Sequence, residues 1–189
     1  MNLKSALAAL AVCIAVTSLA APVANVTELR AAAATPGAVI ELAAGTFALT
    51  EPLDLKTGTT LKGAGIGKTI ITHAAEWRAN PATLPDPETD HAKFDRTGYL
   101  IRCVNDAKDI AISHLTLTGP QMHGAIFGFA NEGLHFHDLR IEDFMYCGIR
   151  TYAMKRVSRA GRGLRQSRCS RRGSGCRRGR GCRFRFCAG

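Results

Sequence analysis

The sequence predicts an all-β fold, a right-handed parallel β-helix of about three coils with a short N-terminal capping helix and a disordered basic tail. Three observations carry that prediction. The first is a repeat: Ile110, Ile112, Leu115 and Leu117 recur as Leu134, Phe136, Leu139 and Ile141, each displaced by 24 residues. The second is the period inside each repeat, Ile-x-Ile, a two-residue break, then Leu-x-Leu. Alternation of period two marks strands with one buried face, and the break marks a turn between them. The third is length. Strands this short, joined by turns this tight, do not return as hairpins. A coil of about two dozen residues stacks on the next instead and pairs each strand in parallel with its counterpart. A β-sandwich, the competing all-β arrangement, imposes no constant offset.

The elements follow in chain order. Residues 1–20 read as an export signal, with Lys4 in the n-region, an apolar run from Ala6 to Leu19 and small residues before a cleavage point after Ala20. The apolar run is short of the roughly 20 residues a membrane span needs, so no span is expected after cleavage. Residues 21–154 are expected to form the partial β-helix. Thr27 to Ala34 reads as an Ala-rich helix with Asn25 or Thr27 as N-cap, placed to cover the open N-terminal end of the solenoid. Val39–Leu42, Leu53–Leu55 and Thr60–Gly63 read as strands, and Gly63–Thr69 as a turn feeding Ile70–Thr72. Trp77 to Thr97 breaks the pattern with Pro81, Pro85 and Pro87 and reads as a projecting loop. Gly124 recurs as Gly148, at the same offset of 24, ahead of another short strand.

The formal charge of +10 is unevenly spread. Of 25 Lys and Arg, 13 fall after Met154, where there is no Asp or Glu, leaving 12 basic against 15 acidic residues before it. The body is mildly acidic, so the average charge does not argue for nucleic acid, and no nucleic-acid partner is expected. Residues 155–189 are too polar and too like-charged to pack, and read as disordered. Their Arg, Gly, Ser and Cys are what a GC-rich coding region gives out of frame, so the chain is expected to be a truncated or frameshifted member of its class. Taken as genuine, the tail offers a rival reading as a phosphate-binding appendage. Its cysteines, Cys169, Cys176, Cys182 and Cys187, lack any C-x-x-C pair and make a poor zinc pattern. Cys103 and Cys147, the two in the body, sit in strand-like surroundings that suit buried thiols.

Pro36-Gly37-Ala38-Val39-Ile40-Glu41-Leu42-Ala43-Ala44-Gly45-Thr46-Phe47, with Leu61-Lys62-Gly63-Ala64-Gly65 after it, resembles the opening coils of pectin-lyase-like right-handed β-helix proteins. The resemblance spans roughly Ala34 to Met154. It implies the fold, and it implies a polysaccharide substrate, with a lyase acting on uronate-containing polymer favoured over a hydrolase. Non-catalytic surface or adhesion modules use the same scaffold. It also leaves room for calcium, for which Asp86, Glu88, Asp90 and Asp95 are the acidic candidates. They do not match an EF-hand, since His91 and Thr97 stand where Gly and Glu are required. The paired aspartates of polygalacturonases are absent, and Met122-His123-Gly124 and Arg140-Ile141-Glu142 are partial echoes of that family's other motifs.

The residues themselves offer one chemical cluster. With Leu134 and Phe136 inward, His135 points outward, His137 and Asp138 reach the following turn, and Arg140 lies outward between Leu139 and Ile141. His114 stacks on Asp138 from the coil before, about 4.8 Å away. His135, His137, Asp138 and Arg140 are therefore the candidate catalytic residues and His114 a substrate-binding one. Such a set could take a proton beside a uronate carboxylate while a cation steadies the enolate. Gly63 to Thr69 superficially suggests a phosphate loop, but Lys62 occupies the first glycine position and a strand follows instead of a helix.

Overall fold

A computed structural model describes residues 21–83, 95–154 and 156–159, the last four as backbone. The expected export signal, the acidic part of the expected loop (84–94) and residues 160–189 of the expected tail lie outside the described residues.

The helix α1 (Val26–Ala33) opens the described chain. Asn25 is its cap: the side-chain oxygen accepts from Glu28 N at 2.9 Å, and Glu28 Oε2 accepts from Ala24 N at 3.0 Å. This reciprocal arrangement satisfies two backbone donors at once. Leu29 and Ala33 are buried, and the helix packs on the first three strands, covering the N-terminal end of the solenoid as expected.

The first coil carries β1 (Val39–Glu41), β2 (Gly45–Leu49) and β3 (Leu53–Leu55). The second carries β4 (Thr60–Lys62), β5 (Thr69–His73) and β6 (Tyr99–Cys103), preceded by a 3-10 turn, Arg96–Gly98. In the third coil the first two strands fuse into β7 (Ala111–Thr118), followed by β8 (Gly124–Phe129). The fourth repeats this with β9 (Glu132–Glu142) and β10 (Cys147–Tyr152), and β11 (Arg156–Arg159) begins another turn. Every strand pairing is parallel. One sheet holds β3, β6, β8 and β10, and the other holds the remaining strands, with β7 pairing β4 in its first half and β5 in its second. The chain is a parallel β-solenoid.

The repeat of 24 is the register of that solenoid. Ile112 lies on Phe136, Leu115 on Leu139 and Leu117 on Ile141, all buried. On the second sheet Leu53, Ile101, Ile126 and Ile149 form a single inward row.

Three expectations need correction. Four coils are stacked, not three, because β2 was unrecognised and the long insertion after β5 hid β6. Gly124 pairs with Cys147 and not with Gly148. The connection from β9 to β10 is one residue shorter than that from β7 to β8, so the offset falls to 23 there. Finally, strand pairing passes the expected boundary at Met154, since β11 pairs with β9.

The turns stack as regularly as the strands. Asp106, Ala130 and Ala153 all adopt left-handed backbone (φ 61, 55 and 51), as do Asp109 and Gly133, and His114 and Asp138 (φ 58 and 50). Ala130 N reaches Tyr152 O at 2.9 Å across one of these stacks. Asn131 is fully buried beside it and donates to Val104 O at 2.7 Å and Ala107 O at 3.1 Å, satisfying two carbonyls that the bend takes out of the ladder.

Candidate functional site

His114 and Asp138 mark the bend in the middle of β7 and β9, and this is why the long strands serve two faces. Left-handed backbone is accessible to His and Asp at lower cost than to branched residues. The bend turns both side chains outward at the same height. Asp138 Oδ2 lies 3.0 Å from His137 Nδ1 and 3.6 Å from His114 Nε2. The two imidazoles meet edge to face, with centroids 5.2 Å apart and planes at 89°. The hydrogen bond from His137 holds the Asp138 carboxyl below its ordinary value against the opposing pull of burial, and the charges of His114 and His137 add to it. The three side chains remain about two-fifths exposed, at 41, 38 and 41%. His114 Nδ1 is the exception: it is buried and has no hydrogen-bond partner.

The structure thus brings together three of the five candidate residues. His135 is exposed on β9, two positions before His137. Arg140 lies beyond the bend, exposed, where Nε donates to Glu142 Oε2 at 2.9 Å. The cation that elimination chemistry would set beside the histidines is engaged with a neighbouring carboxylate instead. His123, in the partial polygalacturonase echo, is buried with Nε2 2.7 Å from Asn80 O and packs edge-on to Tyr99, a packing role. Of the acidic calcium candidates, Asp95 caps the 3-10 turn through Thr97 N at 2.8 Å, and the other three lie outside the described residues. Among the described residues, the group of metal-capable side chains that converges is His114, His137 and Asp138. Two of its three donors are nitrogen, which does not suit calcium.

A second feature escaped the sequence reading. On the outer face of the other sheet, Asp54, Arg102, Phe127 and Arg150 occupy one register row. Arg102 grips Asp54 through two nitrogens, at 2.6 and 2.7 Å. Two depressions of about 280 Å³ each share this pair and join into a groove. Arg30, Lys56 and Glu51 line one end. At the other, Arg96 lies over the rings of Phe127 and Phe129, at 5.8 and 5.7 Å. Four cations therefore face two carboxylates along it. Tyr99, Phe127, Cys147 and Tyr152 form a compact cluster beside the groove, and Arg150 packs between Tyr146 and Tyr152. Burial, and then the neighbouring Cys147 thiol, hold the Tyr99 phenol well above its ordinary range. Cys103 and Cys147 are buried, and burial pushes the Cys103 thiol up to about 12.

No family model matches the chain, and no curated protein matches it. Among solved structures, it is similar to the A-module of a mannuronan C-5 epimerase from Azotobacter vinelandii, at 18% identity and a TM-score of 0.46. That match covers 76% of this chain and 43% of the other, so the chain spans less than half of the module it resembles. The fold itself rests on the register of the strands, and it is the parallel β-helix expected from the resemblance to pectin-lyase-like proteins. Among the described residues no helix is long and apolar enough to cross a membrane.

Proposed function

We propose that this chain is an exported β-helix protein that lays a uronate-containing polysaccharide along the groove outside β3, β6 and β8, with elimination favoured over hydrolysis. The observation that supports this reading is the groove's charge: Arg30, Lys56, Arg102 and Arg96 against Glu51 and Asp54, in two joined depressions running from coil to coil. A surplus of cations in a concave strip attracts a polyanion and holds it in register. Glycoside hydrolysis normally needs two carboxyl groups flanking the bond, whereas Asp54 is committed to Arg102. Elimination calls for a cation on the uronate carboxylate. Arg102 and Arg30 are paired with Asp54 and Glu51, so that role falls to Arg96 and Lys56, with Arg102 joining them where a uronate displaces Asp54. Export rests on the first 20 residues alone. In this reading the turn residues His114, His137 and Asp138, on the other sheet, serve a different purpose.

The test is incubation with pectate and with alginate, with and without calcium, following the absorbance of unsaturated products alongside calorimetric binding. Product formation that falls on Arg102→Ala supports the lyase. Binding without product, equally lost in that variant, makes the chain a non-catalytic carbohydrate module. Failure to bind any uronate polymer removes the reading altogether.

A further inference from the structure

We propose that His114, His137 and Asp138 form a binding site for a divalent transition metal of the zinc class, bridging the third and fourth coils. The site goes beyond the groove and does not depend on it.

The donors come from two coils, His114 from β7 and His137 with Asp138 from β9, and each is fixed by the bend of a strand held in a parallel ladder. In a tetrahedral site with bonds of about 2.0–2.1 Å, donor atoms stand about 3.3 Å apart. Here His137 Nδ1 and His114 Nε2 lie 3.0 and 3.6 Å from Asp138 Oδ2. All three donor atoms fall within 4.8 Å of one another, so an ion would draw the two histidine nitrogens together by at most about 1.5 Å.

Two imidazoles and one carboxylate select borderline metals over calcium or magnesium. With both rings neutral the cluster carries one negative charge, which favours a dication. Partial exposure of all three side chains leaves the fourth position to water or an outside ligand. His114 supplies a further pointer. Because its Nδ1 is buried without a partner, the ring can make productive contacts only through Nε2, the atom that faces Asp138. A metal held there ties one coil to the next, and in a solenoid the interface between neighbours governs how far the stack holds together.

The test is calorimetric titration of zinc into the untagged full chain carrying Ser at Cys169, Cys176, Cys182 and Cys187, so that tail thiols cannot compete. One equivalent should bind with micromolar or tighter affinity, raise the melting temperature, and weaken at least about tenfold in His114→Ala and in His137→Ala. Calcium should produce neither effect. In the unsubstituted cluster, zinc should also shift the imidazole nitrogen resonances of His114 and His137 and leave those of His73 and His123 in place, a readout that survives if a variant fails to fold. No stoichiometric binding, binding that persists in both variants, or shifts at other histidines would overturn the site.

Discussion

Arg102 and Asp54, 48 residues apart in sequence, lie on adjacent coils and share two hydrogen bonds of 2.6 and 2.7 Å. The separation is twice the repeat because a single long insertion enters between β5 and β6 of the second coil. The pair is partly exposed, at 30 and 46%, so it contributes at most about 1 kcal/mol to stability. Its larger consequence is for binding, since Asp54 occupies the guanidinium face that a uronate carboxylate would use. Arg102→Ala is expected to weaken binding of oligouronates by roughly 10- to 100-fold, the loss of a charged hydrogen-bonding group. Asp54→Asn should leave binding unchanged or tighten it. Calorimetry with circular dichroism checks on folding reads both, and a loss of affinity in Asp54→Asn equal to that in Arg102→Ala would mean that the pair is structural only.

Glu28 sets one pH dependence. Its carboxyl is held below the ordinary value, first by the hydrogen bond from Ala24 N–H and then by the contact with Asn25. A folded value below the unfolded one means that the stabilising contribution is present above the unfolded pKa, about 4.3, and disappears as pH falls through the folded value. Urea midpoints of the wild type and Glu28→Gln should therefore differ at pH 6 and converge toward pH 3. A gap that is constant across that range would show that the cap does not depend on the charge.

Ala130 offers a gain. It holds a left-handed conformation, φ 55, in the stack between Asp106 and Ala153. A Cβ in that conformation costs about 1–2 kcal/mol, partly offset by the extra freedom glycine gives the unfolded chain. Ala130→Gly is expected to raise unfolding stability by about 0.5–1 kcal/mol. Denaturant melts check this, and a loss of stability would place the strain elsewhere in the turn.

How much of this was legible can be followed residue by residue. Ile112, Leu115 and Leu117 announced the ladder because burial forces alternation, and a constant coil length turns alternation into a fixed offset. The same offset placed His114 against Asp138 correctly. It failed where length varies: at β10, where one residue fewer shifts Gly124 onto Cys147, and at β6, where the insertion separates Arg102 from Asp54. The groove was invisible for that reason, since its residues share no spacing and meet only through register. Arg140 is a different case. Its outward direction was legible, but its engagement with Glu142 depends on side-chain placement that alternation does not specify.

Gly124 joins the core of the second sheet to the cluster beside the groove, and it has no room for one added methyl group. It stands in the row Tyr99, Gly124, Cys147, with the Tyr99 ring lying across its α-carbon. A Cβ there would overlap the Tyr99 ring and come within 2.6 Å of the Cys147 carbonyl oxygen. The ring has little room to yield, being buried against Phe127 at a centroid distance of 5.3 Å and within reach of Cys147 Sγ at 3.7 Å. The carbonyl belongs to a neighbouring strand and is no freer. Overpacking of this kind costs about 1–3 kcal/mol. Gly124→Ala should therefore lower unfolding stability by that amount, while Tyr99→Leu in the same background should recover part of it by removing the overlapping ring atoms. A double-mutant cycle measures the coupling. Additive effects of the two substitutions would mean that the strand shifts to accept the methyl group and that the ring does not fix the spacing of coils two and three.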